Sequence, residues 1–151
     1  MTQKPISPLV EALGLQPHVE GGWYKRLWNS SVEIPQETLG ASYSGPRASA
    51  SSIYFLLHEG EESKWHKVLS DEIWLWHSGS PIVLSLGGDG DQPGEVTEFI
   101  LGIDVAGGQQ PQVVVPAGVW QAARPLGEEP VLVSCIVSPE FQFDDFTMIE
   151  E

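Results

Sequence analysis

The sequence predicts an all-β fold, a sandwich or barrel preceded by one short helix. Two observations lead there. Beyond residue 22 the apolar side chains recur with period two, most plainly over 51–58, where Ile53, Phe55 and Leu57 alternate with Tyr54, Leu56 and His58. The 16 glycines and 12 prolines are scattered as turn signals between such runs, and no later segment carries a helical period.

Taken in order, residues 7–14 read as the helix, with Ser7 as N-cap, Pro8 at the first helical position and Gly14 at the C-terminal cap. Gly21-Gly22 leads into a strand over 23–28. Residues 31–47, rich in Ser, Pro and Gly, read as a long covering loop. Strands follow over 51–58, 64–69, 72–77 and 81–86, with Ser70-Asp71 as a tight turn between the second and third of these. After the Gly87–Asp91 turn come 95–100, 112–115, 119–124, 131–137 and 141–148. About nine or ten short strands at regular spacing argue for a closed or two-layered β domain. The 151 residues suit one domain, 1–151, and the 6 Trp, 5 Phe and 3 Tyr suffice for its core.

A net charge of −14, from 21 acidic and 7 basic side chains, opposes nucleic acid and anionic membrane as partners. The first 15 residues lack a secretion-signal pattern, and no apolar run approaches the ~20 residues of a membrane span. The single cysteine, Cys135, lies among Val, Leu and Ile, as a buried structural thiol would, and a lone cysteine suits a reducing compartment. A cytoplasmic location is expected.

The chemistry concentrates between Gly60 and Gly79. A hairpin centred near Leu69 would set His66 opposite Glu72 on one face, with Lys64, Trp74 and Trp76 sharing that parity. If that face looks into a barrel, it is a polar site walled by aromatics, suited to a small molecule. The alternative for the same pair is a structural His–Glu hydrogen bond, and for Trp74 and Trp76 a place in the core; Lys64, Trp74 and Trp76 on the same face favour the pocket. Tyr24 and Arg26 fall on one face of the first strand, where either could close the pocket mouth. His18 and Glu20, just before Gly21-Gly22, have no evident mechanism. Pro116-Ala117-Gly118 reads as a turn, after which Val119, Gln121 and Ala123 share a face.

Gly60, His66, Glu72 and Gly79 stand at the spacing of the first cupin motif, and Pro116-Ala117-Gly118 with Gln121 matches the second. The segments His18-Val19-Glu20-Gly21-Gly22-Trp23-Tyr24, Ser70-Asp71-Glu72-Ile73-Trp74 and Val114 to Ala123 extend the likeness. The chain resembles the single-domain cupin family known as domain of unknown function 985. That resemblance covers about 18–146 and implies a double-stranded β-helix (jelly-roll barrel) and a homodimer. Metal-binding cupins supply three His and one Glu, whereas here Val68 and Gln121 stand in place of two histidines. No cofactor is therefore expected; a divalent metal, if bound, would use His66, Glu72 and Gln121.

The expectation is a cupin that binds a small polar molecule, such as a carbohydrate or nucleotide-sugar, with metal-independent epimerase- or isomerase-like proton transfer. His66 would be the base, oriented by Glu72, and Tyr54 an acid if its strand face turns inward. Lys64, Trp74, Trp76 and Gln121 would touch the ligand. The alternatives are a non-catalytic binding or regulatory module, and a metal-dependent oxygenase or isomerase.

Overall fold

Two antiparallel sheets carry the alternation. The structure, a computed structural model, describes residues 5–149. In chain order the elements are helix α1 (Pro8–Leu13), strands β1 (Gln16–Pro17), β2 (Trp23–Asn29) and β3 (Glu33–Ile34), helix α2 (Gln36–Leu39), then β4 (Arg47–Ala48), β5 (Ser51–Leu57), β6 (Ser63–Lys67), β7 (Asp71–Ser78), β8 (Ile82–Leu86), β9 (Thr97–Leu101), β10 (Gln112–Val115), β11 (Gln121–Pro125), β12 (Val131–Ser138) and β13 (Thr147–Met148). One sheet runs β1-β2-β5-β12-β7-β10 and the facing sheet β13-β6-β11-β8-β9, with β3-β4 as a separate pair.

Helix α1 forms where its caps place it. Ser7 Oγ accepts from Leu9 N at 3.2 Å, and Gly14 closes the helix at φ 69°. Two segments differ from expectation. Residues 31–47 contain the β3–β4 pair and α2 rather than an unstructured loop. The segment 141–148, expected as one strand, is a 3-10 turn at Phe143–Asp145 followed by β13. The buried Asp145 carboxylate is bidentate to the buried Arg47 guanidinium, one bond measuring 3.0 Å from Nη2. That ion pair fastens the C-terminal segment to the β3–β4 arm.

The expected hairpin is absent. β6 and β7 lie in opposite sheets, and residues 68–70 carry the chain across the barrel. The crossing is held from outside its own strands: Gly118 N donates to Val68 O at 2.9 Å, and Tyr43 Oη donates to Leu69 O at 3.3 Å and lies 3.0 Å from Ser70 Oγ. His66 and Glu72 therefore meet across the interior, not as cross-strand neighbours.

One end of that interior is filled. Phe55, Leu57, Trp74, Ile82, Leu84, Leu101, Val115, Val131 and Val133 form a continuous buried cluster, and each large side chain withdrawn from water contributes ~1.5–3 kcal/mol. Toward the other end the inward residues change character, to Ser51 and Ile53 on β5, Glu72 on β7 and His66 on β6.

Candidate functional site

At that end the barrel keeps a cavity of about 140 Å³. The six-stranded sheet lines it with Tyr24, Arg26, Ser51, Ile53, Glu72, Cys135 and Val137, and the facing sheet with His66 followed by Val68. Gln16, His18 and Glu20 enter from the segment before β2, and Phe141, Phe143 and Phe146 from the C-terminal segment. Gln16 and Phe143 are exposed, so the rim reaches solvent.

Glu20 enters because two glycines follow it. Gly21 has φ 109° and a Cβ there would collide with the Glu62 carbonyl oxygen; only glycine allows the backbone to lie that close. Lys64 N then donates to Glu20 O at 2.9 Å, and His18 N to Gly22 O at 2.9 Å, closing a tight loop that turns the Glu20 carboxylate inward. Glu20 Oε2 lies 2.9 Å from His66 Nε2, both side chains being buried.

Both His66 nitrogens are engaged, since Nδ1 lies 2.7 Å from the Lys64 carbonyl oxygen, which can only accept. Burial alone would lower the His66 pKa, but the charge and hydrogen bond of Glu20, with Glu72 and the Lys64 carbonyl, push it up to about 9. At neutral pH the ring is an imidazolium, stacked on Phe146 with centroids 5.2 Å apart. Burial would raise Glu20, yet His66 and His18 hold it below the usual carboxylate range. Glu72 goes the other way: burial raises it, and Glu20 adds to that against His66 and Gln121. Burial, with Glu72 and Glu20 beside it, pushes the Cys135 thiol well up, so it stays protonated and unreactive.

Burial lowers His18, and His66 adds to that against Glu20, so this ring is neutral. Its Nδ1 accepts from Glu20 N at 3.1 Å, which places the remaining proton on Nε2. Among the described residues Nε2 has no acceptor.

The structure separates the residues expected to act together. Gln121 donates through Nε2 to Glu72 Oε1 at 2.9 Å, and its Oε1 accepts from Trp74 Nε1 at 2.9 Å. Gln121 and Trp74 thus form the floor beneath Glu72 and do not line the cavity. Trp76 packs against the core and donates to Ser80 O at 3.0 Å, away from the site. Lys64 is exposed. The reason is a bulge: Gln121 pairs with His66 but Ala123 pairs with Ser63, so three residues of β6 oppose two intervals' worth of β11 and parity is lost. Tyr54 sits on the outer face of β5, whose inward residues at this end are Ser51 and Ile53, so it cannot serve as an acid in the cavity. The expected role of His66 as a base oriented by Glu72 is also revised, because Glu20 and the Lys64 carbonyl hold its two nitrogens.

His18, Glu20 and the three phenylalanines of the C-terminal segment were not foreseen as site residues. The one sequence signal for Glu20 was the adjacent Gly21-Gly22. The donor set does not fit a cupin metal. His66 Nε2 is turned to Glu20, Gln121 turns its oxygen to Trp74 and its NH₂ to Glu72, and Val68 offers no ligand atom. Among the described residues no three His, Cys, Asp or Glu side chains are grouped to hold a metal ion.

An antiparallel double-sheet barrel, packed at one end and hollow with ionisable groups at the other, is the architecture of a cupin. The chain belongs to the cupin superfamily family DUF985, which it matches over residues 7–149. It is 29% identical to the uncharacterized protein YML079W of Saccharomyces cerevisiae, over 96% of this chain and 75% of that one. Among solved structures it is similar to protein SO0799 from Shewanella oneidensis (36% identity, TM-score 0.80, 94% of this chain and 82% of that one). A hypothetical protein from Leishmania major is similar at 29% identity and TM-score 0.81, over 93% and 85% of the two chains. Oxalate decarboxylase shares the fold at 15% identity and TM-score 0.59, this chain spanning 30% of its length. No helix among the described residues is long and apolar enough to cross a membrane.

Proposed function

We propose that this cupin binds a small organic molecule inside its barrel, and does so without a metal. The observation that carries the reading is the His66–Glu20 ion pair, buried with Glu72 beside a cavity that the core leaves unfilled. Burying such charges costs several kcal/mol that apolar side chains would not, and perturbed ionisable groups gathered in a cleft are the physical mark of a binding or active site. The volume suits one small ring. A nucleotide-sugar would place only its sugar inside and leave the nucleotide beyond the rim at Arg26 and Phe143. The test is a thermal-shift screen of small sugars, acids and alcohols on wild type and on Ile53→Trp, whose indole fills the cavity. Compounds should raise the wild-type melting temperature saturably and leave Ile53→Trp unmoved; shifts that persist in Ile53→Trp, or a panel with no binders, would overturn the reading.

A catalytic version rests on a second observation. Glu72, raised by burial, and the neutral His18 line the same cavity, which is the arrangement general acid–base chemistry uses. In that version the proton moves through Glu72 rather than His66. Solvent deuterium appearing in a bound sugar with wild type, and not with Glu72→Gln, would support it; equal incorporation with both would refute it.

A further inference from the structure

The cavity's composition says more about its occupant than its size does. The charges around it are already paired, His66 with Glu20 at 2.9 Å and Arg26 at the rim with Glu140 at 3.7 Å, while burial raises Glu72 toward its neutral acid. A ligand with net charge would upset that balance in a space largely withdrawn from water, where an uncompensated charge is costly. The rest of the lining is largely apolar: Ile53 and Val137 on the same sheet as Glu72, Val68 just past the end of β6, and Phe143 and Phe146 from the C-terminal segment. At about 140 Å³ the cavity is close to the ~150 Å³ that accommodates a benzene ring.

One donor in this lining is unspent. The His18 side chain is 5% exposed, its Nδ1 is occupied by Glu20 N–H, and Nε2–H has no acceptor among the described residues. Among the described residues the fully buried side-chain atoms without a partner are Arg47 Nε and Ser63 Oγ, so His18 Nε2 keeps access to the cavity, where an acceptor atom brought in by a ligand can accept its hydrogen bond. On the other side, Glu72 gives one hydrogen-bond position to Gln121 and a weaker one to the Cys135 thiol, which leaves acceptor capacity on its two oxygens. A hydroxyl can accept from one group and donate to the other. A carboxylate can only accept and would bring an unpaired negative charge beside Glu20 and Glu72; an ammonium can only donate and would leave His18 without an acceptor.

We infer that the cavity recognises an uncharged ring bearing a hydroxyl group, with His18 Nε2–H donating to the hydroxyl oxygen and the Glu72 carboxyl receiving its proton. This rests on the cavity being the binding site. Aromatic and saturated rings share this chemistry, and the test distinguishes them.

The experiment is an NMR titration of the full chain, labelled at methyl groups, with phenol, methyl glucoside, toluene, benzoate and benzylamine. Phenol or methyl glucoside should shift the Ile53, Val68 and Val137 methyls, whichever is tighter giving the ring type. Toluene, benzoate and benzylamine should each bind at least about tenfold more weakly, the loss of one buried hydrogen bond or the addition of one charge. His18→Asn keeps a side-chain acceptor for Glu20 N–H but withdraws the distal donor. In that variant the affinity for the hydroxylated ring should fall to that of toluene while toluene itself is unaffected. Benzoate or benzylamine binding as tightly as the hydroxylated ring, toluene matching it, or His18→Asn leaving its affinity unchanged would each overturn the inference while leaving the cavity as a binding site. Methyls undisturbed by all five probes would instead overturn the cavity reading itself.

Discussion

Replacing Glu20 by Gln tests the electrostatic logic of the site. The substitution keeps the shape and a hydrogen-bonding group beside His66 Nε2 but removes the countercharge held at 2.9 Å. In the folded protein His66 titrates at about 9 against an ordinary 6.5. Each pKa unit corresponds to 1.36 kcal/mol, so the raised value is worth about 3 kcal/mol of folding stability. The sign follows from a raised pKa: the contribution is fully present below pH 6.5, where the unfolded chain is also protonated, and is lost as pH rises through 9. Without Glu20 the two largest raising influences are gone, burial is opposed only by Glu72 and the Lys64 carbonyl, and most of the contribution is lost. Wild type should therefore exceed Glu20→Gln by up to about 3 kcal/mol at pH 6.5, or ~6–12 °C in Tm for a domain of this size, and by no more than ~1 kcal/mol at pH 9.5, where only a neutral hydrogen bond separates them. Urea unfolding of both proteins at pH 6.5, 8 and 9.5, with the His66 ring followed by NMR, measures this. A gap constant across that range, or a wild-type His66 titrating near 6.5, would refute the reasoning.

Gln121→Leu removes both the acceptor for Trp74 Nε1–H and the donor to Glu72; two buried groups left unpaired should cost about 2–5 kcal/mol in chemical unfolding, and a loss under 1 kcal/mol would mean the floor is not held as described. Gly21→Ala combines a φ of 109° with a Cβ directed at the Glu62 carbonyl. It should destabilise by more than ~2 kcal/mol and abolish the elevated His66 titration, because Glu20 is displaced; a well-folded variant with His66 still titrating near 9 would contradict that account.

The comparison with solved relatives bears on the fold more than on the chemistry. At 15% identity the likeness to oxalate decarboxylase shows the barrel and nothing of the chemistry inside it.

Sequence alone was enough for the barrel and for where to look within it. The alternation in 51–57 and 131–137, the caps of α1 and the Gly60–Gly79 spacing are local signals, because side-chain direction in a strand is set by parity and turns are set by glycine and proline. His66 and Glu72 do face one interior, but across it from two sheets rather than through the hairpin that the sequence led one to expect. What parity could not foresee was anything that breaks it or joins distant segments. The bulge opposite Gln121 turns Lys64 out and Ser63 in, and the crossing at 68–70 moves β7 to the other sheet. His66 takes its counterion from Glu20, far back in the chain. That pairing depends on Gly21 letting one backbone lie against another, a contact between segments remote in sequence. Only the closed barrel, which brings its two ends together, decides which carboxylate meets which imidazole.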